Sequence, residues 1–385
     1  MLPTIITNNN RLLDHLTSVL REFNDTLMFK GPWFCGMDYL LTCSPDNANH
    51  MFNHHFSNYP KGKLFNEVFE LLGDGIFNVD GDKWMDQRRM AQIHMKTSSF
   101  RSSIEECTRD KVSKVLLPLL NKMAGSGKVV DVNEVLTRFT FDTTCKLVMG
   151  VDPGCLASEF PGIPFAKAVD EIEQALVVRY IVPTFWWKLQ RRFRLGREKK
   201  VAEDEEVIES FIAQCIREKR ASVKDNNQQV CGDLMTPYMD HDDKFLRDTL
   251  LNFLVAGKDT IGAALVWLFW LLTNNPDVEN KILEELRRGR PSSKVSDDEM
   301  IVFNSEEIEG LVICTQPCAK RLGFTLLWHS AKSKRRRMMS YRVDIKFAQD
   351  QRLSSPCIRW GEWRQYGERT AWSSSLRDGS RRRGH

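Results

Sequence analysis

The sequence predicts a mainly α fold with a small β portion, and three observations carry that expectation. Apolar residues recur at spacings of three and four through RLLDHLTSVLREF, SSIEECTRDKVSKVLLPLLNKMA and EEVIESFIAQCIREKRASV, so each segment lays one apolar stripe on a core. Loop punctuation such as GDG, DGD, DPG and NNPD lies between the periodic segments. Strand signals are confined to two short stretches near the start, LMFKGPWF and CGMDYLLTC. With 385 residues, 42% of them hydrophobic, the chain can bury a sizeable core in one large domain or two.

Taken in order, the first ten residues, MLPTIITNNN, contain no apolar run long enough for a signal peptide or a membrane span. A short amphipathic helix and the two strand segments follow. The segment FNVDGDKWMDQRRMAQIHM then sets Trp84 and Arg88 one helical turn apart on one face. Further on, Phe253 to Leu272 reads FLVAGKDTIGAALVWLFWLL. Its Lys258 and Asp259 argue against a lipid-facing span, because charges in hydrocarbon are costly. A helix apolar almost all round suits the centre of a large helical domain. Asp242 or Asp243 caps its start, Asp248 lies favourably near its first turns, and Asn274-Asn275-Pro276 ends it, which predicts a helix from about Phe245 to Thr273.

The formal net charge of +4 conceals a division. Residues 313–385 hold 17 Lys and Arg against 5 Asp and Glu, a net of +12, which leaves −8 for residues 1–312. The ten cysteines lack the paired spacing of a zinc site or a disulfide scaffold, and most of them read as reduced, buried small hydrophobes of a cytosol-facing protein. No metal site is expected: His54-His55 and the run Asp240, His241, Asp242, Asp243 read as solvated loop, since adjacent side chains cannot all face one ion. His94 reads as a hydrogen-bonded helix residue.

AGKDT, residues 256–260, is the constellation that carries chemistry. Gly257 in mid-helix costs about 1 kcal/mol relative to Ala, so the missing side chain serves either close approach of something flat or a local distortion. Asp259 and Thr260 add a carboxylate and a hydroxyl that together move protons in a dry pocket. Taken alone, the string has a plainer structural reading: Gly257 is a packing contact, Thr260 bonds back to a carbonyl, and Asp259 pairs with a neighbouring base.

The order AGKDT, ALVWLFWLL, NNPDVENKILEEL resembles the long central helix of the haem-thiolate monooxygenases, the cytochrome P-450 family, and the helix after it. Upstream, the W-x-x-x-R of Trp84 and Arg88 is similar to another motif of that family. FTFDTTCKLVMGVDPGCL and YIVPTFWWKLQRRFRLGREKK resemble its plant branch, which hydroxylates long-chain fatty acids and alkanes. The resemblance covers residues 1 to about 312. It implies a large helical haem-monooxygenase domain with haem b as cofactor. Trp84 and Arg88 would hold a haem propionate, Ala256 and Gly257 would line the distal face, and Asp259 with Thr260 would deliver protons during dioxygen activation. It further implies a lipid-like substrate, electrons from NADPH through a reductase partner, and the cytosolic face of the endoplasmic reticulum membrane. The family's N-terminal anchor and proline-rich hinge would precede residue 1, so the domain is expected to be incomplete at both ends.

The family's iron ligand is a cysteine in a loop F-x-x-G-x-R-x-C-x-G, and no cysteine among these residues has that setting. Glu284 and Arg287 share the spacing of the family's E-x-x-R pair but come one helix too early. Reading the codons of the tail one base earlier lets Ile313 to Leu327 become YLHTALCETFRLYPP, with two further family-like stretches downstream. Residues 313–385 are therefore expected to be an out-of-frame, disordered basic tail. Its KSKRRRMM and SRRRGH runs look like nucleic-acid patches, but a shifted frame explains their composition without function. The expected function is haem-dependent hydroxylation by descent, without catalysis in this chain as written. The alternative is a non-catalytic remnant that binds an apolar ligand or a partner.

Overall fold

A computed structural model describes residues 12–29, 39–126, 130–157, 160–224, 232–288, 339–341 and 343–345. They fall in two compact units, one within residues 1–60 and the other within 61–315 and 337–351.

In the first unit, α1 (Leu12–Glu22) leads through Asn24 and Asp25, both at positive φ, into the antiparallel pair β1 (Thr26–Phe29) and β2 (Tyr39–Thr42). Asn and Asp tolerate that left-handed turn better than other side chains. Leu20, Leu27 and Cys43 form its small core. Beside them, Asn47 of α2 (Pro45–Asn49) donates to both Thr26 and Thr42 hydroxyls at 3.0 Å. The two strand segments read from the sequence pair here, with register Leu27 to Leu41.

The second unit is helical: α3 (Gly62–Val68), α4 (Gly81–Met95), α5 (Ser98–Lys111), α6 (Leu117–Ser126), α7 (Val132–Met149), α8 (Pro164–Ile181), α9 (Thr184–Arg192), α10 (Gly196–Lys224), α11 (Asp243–Asn274) and α12 (Pro276–Arg288). Between α5 and α6 the chain widens into a π-helical turn, Val112–Leu116, just ahead of Pro118, whose ring cannot supply an α-helical hydrogen bond. One short antiparallel pair, β3 (Met339–Tyr341) and β4 (Val343–Ile345), belongs to the same unit. The rest of residues 313–385, on which the out-of-frame expectation falls, lies outside the described residues, as do Cys35, Cys231, Cys314, Cys318 and Cys357.

The core runs between α7, α8, α10 and α11, where Cys145, Ala175, Ile208, Ile212, Leu246 and Leu254 are fully or almost fully buried. Charged side chains pin these helices as well. Lys111 of α5 meets the buried Asp142 of α7 at 2.6 Å, and Asp142 also accepts from the Cys155 and Leu156 amides. Arg179 of α8 forks onto Glu198 of α10, reaches Glu70 at 3.0 Å, and lies over the Trp187 ring at 4.5 Å.

α11 is the axis of the unit. Asp242 caps it by accepting from the Phe245 amide at 2.8 Å, and Asn275-Pro276 breaks it, close to the bounds expected from the sequence. By length and composition it could cross a membrane. Its main neighbour is α7, with which it packs along much of its length.

Candidate functional site

Two features of α11 set the geometry of the AGKDT segment, and the first lies in the helix's opening turns. Asp248 and Asn252, one turn apart and buried, hold the loop of residues 72–77. Asp248 accepts from the Asp74 amide at 2.8 Å; Asn252 accepts from the Phe77 amide at 2.9 Å and donates to the Leu72 carbonyl at 2.8 Å. Gly73, at φ +63°, leaves no room for a side chain, because a Cβ there would lie 2.1 Å from an Asp248 oxygen. The GDG of this loop is therefore a seat for α11, and the chain leaves it directly into α4. On α4 the Arg88 guanidinium lies over the Trp84 ring at 5.0 Å, with Lys61 on the same ring at 5.9 Å. Arg88 is exposed, and no carboxylate pairs with it among the described residues.

The second feature lies at the segment itself. A Cβ on Gly257 would sit 2.7 Å from the Thr144 methyl of α7, and one on Gly262 would sit 3.0 Å from the Thr140 hydroxyl. The close approach that Gly257 permits is thus between two helices. Thr260 donates to the Ala256 carbonyl at 2.7 Å. Asp259 lies 3.3 Å from Lys258. All three contacts of the plainer structural reading are present.

They do not close the segment off. Thr260 and Ala264 are exposed and Ala256 is half-buried, at i, i+4 and i+8, so one face of α11 is narrow, small-residued and open, with Ile261 52% and Phe269 47% exposed nearby. A Thr hydroxyl held on its own helix's carbonyl keeps its lone pairs directed outward, where a second donor or a reacting group can use them.

Lys258, which the sequence offers only as an argument against a lipid-facing span, is 2% exposed. Its ammonium is bonded to Asp170 and, at 3.0 Å, to Glu173, both on α8. Burial alone would lower the Lys258 pKa, but Glu173, Asp170 and Asp259 together outweigh it and raise it. Glu173 moves the opposite way from an ordinary glutamate: burial pushes its carboxyl up to about 8, Lys258 opposes, and a hydrogen bond and the charge of Asp259 add to the rise. Sequence reading missed Asp170 and Glu173. Their only signal is the set of acidic residues in the largely apolar FAKAVDEIEQALVV, which names no partner.

Elsewhere the Asp240 to Asp243 run serves the helix start: Asp242 caps, Asp243 pairs with Arg220 at 2.6 Å, and His241 stacks on Phe245. His94 packs edge-on against Tyr238. His54 and His55 lie near His50 in the first unit. Among the described residues no group of three or more His, Cys, Asp or Glu is placed to hold a metal ion.

The family model for cytochrome P450 matches residues 6–302. The chain belongs to the cytochrome P450 family. Among curated P450 relatives, noroxomaritidine synthase of Narcissus aff. pseudonarcissus MK-2014 is 42% identical over 318 residues, 81% of this chain and 62% of that protein. Cytochrome P450 86B1 of Arabidopsis thaliana is 38% identical, covering 80% and 58%, and alkane hydroxylase MAH1 of the same plant is 31% identical, covering 81% and 63%. The chain spans about three-fifths of the length of these relatives. A crystal structure of a cytochrome P450, CYP102L1, superposes with a TM-score of 0.63 at 17% identity over 83% of this chain and 69% of the other, which establishes the P450 fold. The mainly helical reading with a small β portion holds.

Proposed function

We propose that this chain carries the oxygen-side half of a haem-dependent monooxygenase acting on a long-chain fatty acid, alkane or related lipid. The observation that carries the reading is the open face of α11, where Ala256, Thr260 and Ala264 line up beside the Asp259 carboxylate. The residues on this side fit a haem. Arg88, exposed, stacked on Trp84 and with no carboxylate paired to it among the described residues, suits a propionate by its bidentate fork. Ala256 would line the distal face without crowding it, and Gly257, whose Cβ position is turned to α7, would offer only its backbone there. Haem iron, when bound through a thiolate, supplies the oxidising chemistry. Asp259 and Thr260 would hold and pass protons at the Oδ and Oγ1 atoms, and the apolar run after them would exclude water.

The axial donor is another matter. Cys145, Cys155 and Cys215 are buried, and burial pushes their thiols up, to about 12 for Cys155 and about 11 for Cys215, so none is a ready thiolate. No cysteine of the chain lies in the family's ligand loop. As written, then, the chain does not hydroxylate by itself, and residues 313–385 are an out-of-frame translation. Purified protein supplied with haem and reduced under carbon monoxide gives no thiolate-type Soret band; a clear one overturns this. Sequencing the transcript across the Val312 and Ile313 codons tests the frame independently.

The lipid class follows the likeness to alkane hydroxylase MAH1. The higher identity to noroxomaritidine synthase favours a second reading, a substrate of that enzyme's kind. Turnover of a frame-restored protein with an alkane and with fatty acids of graded chain length separates them: a hydroxylated lipid supports the first reading, and lack of any lipid product leaves the second. An NADPH reductase would supply electrons at the cytosolic face of the endoplasmic reticulum membrane. In support of that location, α9 and its flank expose Phe185, Trp186, Leu189 and Phe193 among Arg192 and Arg194, the chemistry of an interfacial helix.

A further inference from the structure

We propose that Glu173 is a positioning residue for Asp259: the two carboxyl groups share one proton, held by Glu173 and offered to the acid that stands beside Thr260. Three carboxyl groups, Asp170, Glu173 and Asp259, converge on the single ammonium of Lys258. Lys258 can balance one negative charge fully, and in a buried setting the third carboxylate is a net repulsion. The two oxygens of Glu173 are not equivalent. Oε2 accepts from Lys258 at 3.0 Å, whereas Oε1 is sealed from solvent and receives no donor among the described residues. Among the described residues, the side chain in hydrogen-bonding contact with Glu173 besides Lys258 is that of Asp259, another carboxyl group. One proton on Oε1 resolves both facts, because it satisfies the orphaned oxygen and turns a repulsive pair into a bond.

Glu173 holds the proton because it is the more deeply buried partner, while Asp259 is half-exposed and hydrated. Burial favours the neutral carboxyl, in keeping with its rise to about 8. The charged groups facing it are Lys258 and Asp259 on α11 and Asp170 on its own helix. No hydrogen bond or ion pair reaches Glu173 from α7 or α10 among the described residues. The step is a proton transfer without redox change: the Oε1–H bond breaks, an Oδ–H bond forms on Asp259, and the new Glu173 carboxylate is held by Lys258. Water at the exposed side of Asp259 then returns the proton. The service to Thr260 rests on the monooxygenase reading above; the shared proton does not.

Isotope-edited infrared spectroscopy of the full chain, with labelled glutamate, tests it alongside E173Q and E173L. The expected result is a protonated-carboxyl band at neutral pH that is absent from E173Q and fades as pH rises through about 8. E173Q, a mimic of the neutral acid, unfolds at the parent's denaturant midpoint below pH 4.5 and at a higher midpoint than the parent at neutral pH, and E173L unfolds earlier than E173Q. A carboxyl whose folded pKa is raised binds more protons folded than unfolded, so the parent loses stability as pH climbs from the ordinary glutamate value of 4.5 to about 8, and E173Q lacks that slope. No such band, together with E173Q unfolding as early as E173L, overturns the proposal. The carbon monoxide spectrum reports separately on the haem reading, so the failure of one is distinguishable from that of the other.

Discussion

Lys258 and Gly257 sit next to each other on α11 and show how one turn of helix answers to two neighbours. Lys258 faces α8 and neutralises carboxylates there. Its removal in Lys258→Met leaves them facing one another without a cation, so stability falls by about 3–5 kcal/mol, reduced to the extent that the half-exposed Asp170 stays hydrated. Urea unfolding measures it, and an unchanged midpoint would show the ammonium to be idle. Gly257 faces α7. Ala at this position gains about 1 kcal/mol of helix propensity but drives a methyl to 2.7 Å from Thr144, an overpacking worth about 1–3 kcal/mol. Gly257→Ala is therefore destabilising overall, and Thr144→Ala in the same chain restores or exceeds the parent stability. A double variant no better than G257A would place the constraint elsewhere.

At the scale of elements, the seat of the 72–77 loop on α11 is what fixes the start of α4, and with it Trp84 and Arg88. The dependence is testable at Asn252. Asn252→Leu keeps the volume but leaves the Phe77 amide and the Leu72 carbonyl unpaired, each worth about 1–3 kcal/mol if it stays buried. The expected outcome is faster amide exchange at Phe77 and Asn78 than in α7 or α10, with the far-ultraviolet signal unchanged. Uniform acceleration across the unit would mean that the clamp serves global stability and not the loop. Part of this was legible beforehand. Asp248 read as a favourable charge near a helix start, which it is, but its bonding to a loop 174 residues away has no local signature.

For the whole unit, the core that buries α7, α8, α10 and α11 also keeps its thiols neutral. Cys145, Cys155 and Cys215 resist alkylation near neutral pH in the folded protein and react once it is unfolded, because desolvation disfavours the thiolate that does the chemistry. Mass spectrometry of partly labelled protein reads this directly. Labelling of any of the three at the rate of a model thiol would show the core to open.

The sequence by itself determined what backbone periodicity governs. A 3.6-residue repeat fixes which side chains share a helix face, so the long central helix, a cap at Asp242 or Asp243, the Trp84 and Arg88 pair and the back-bonded Thr260 were readable from spacing. Tertiary structure alone decided which element each face meets. Thr144 opposite Gly257, and Asp170 and Glu173 around Lys258, come from segments about a hundred residues away, brought together by helix packing. Packing answers to the shape and burial of whole surfaces, and no repeat in the chain encodes it.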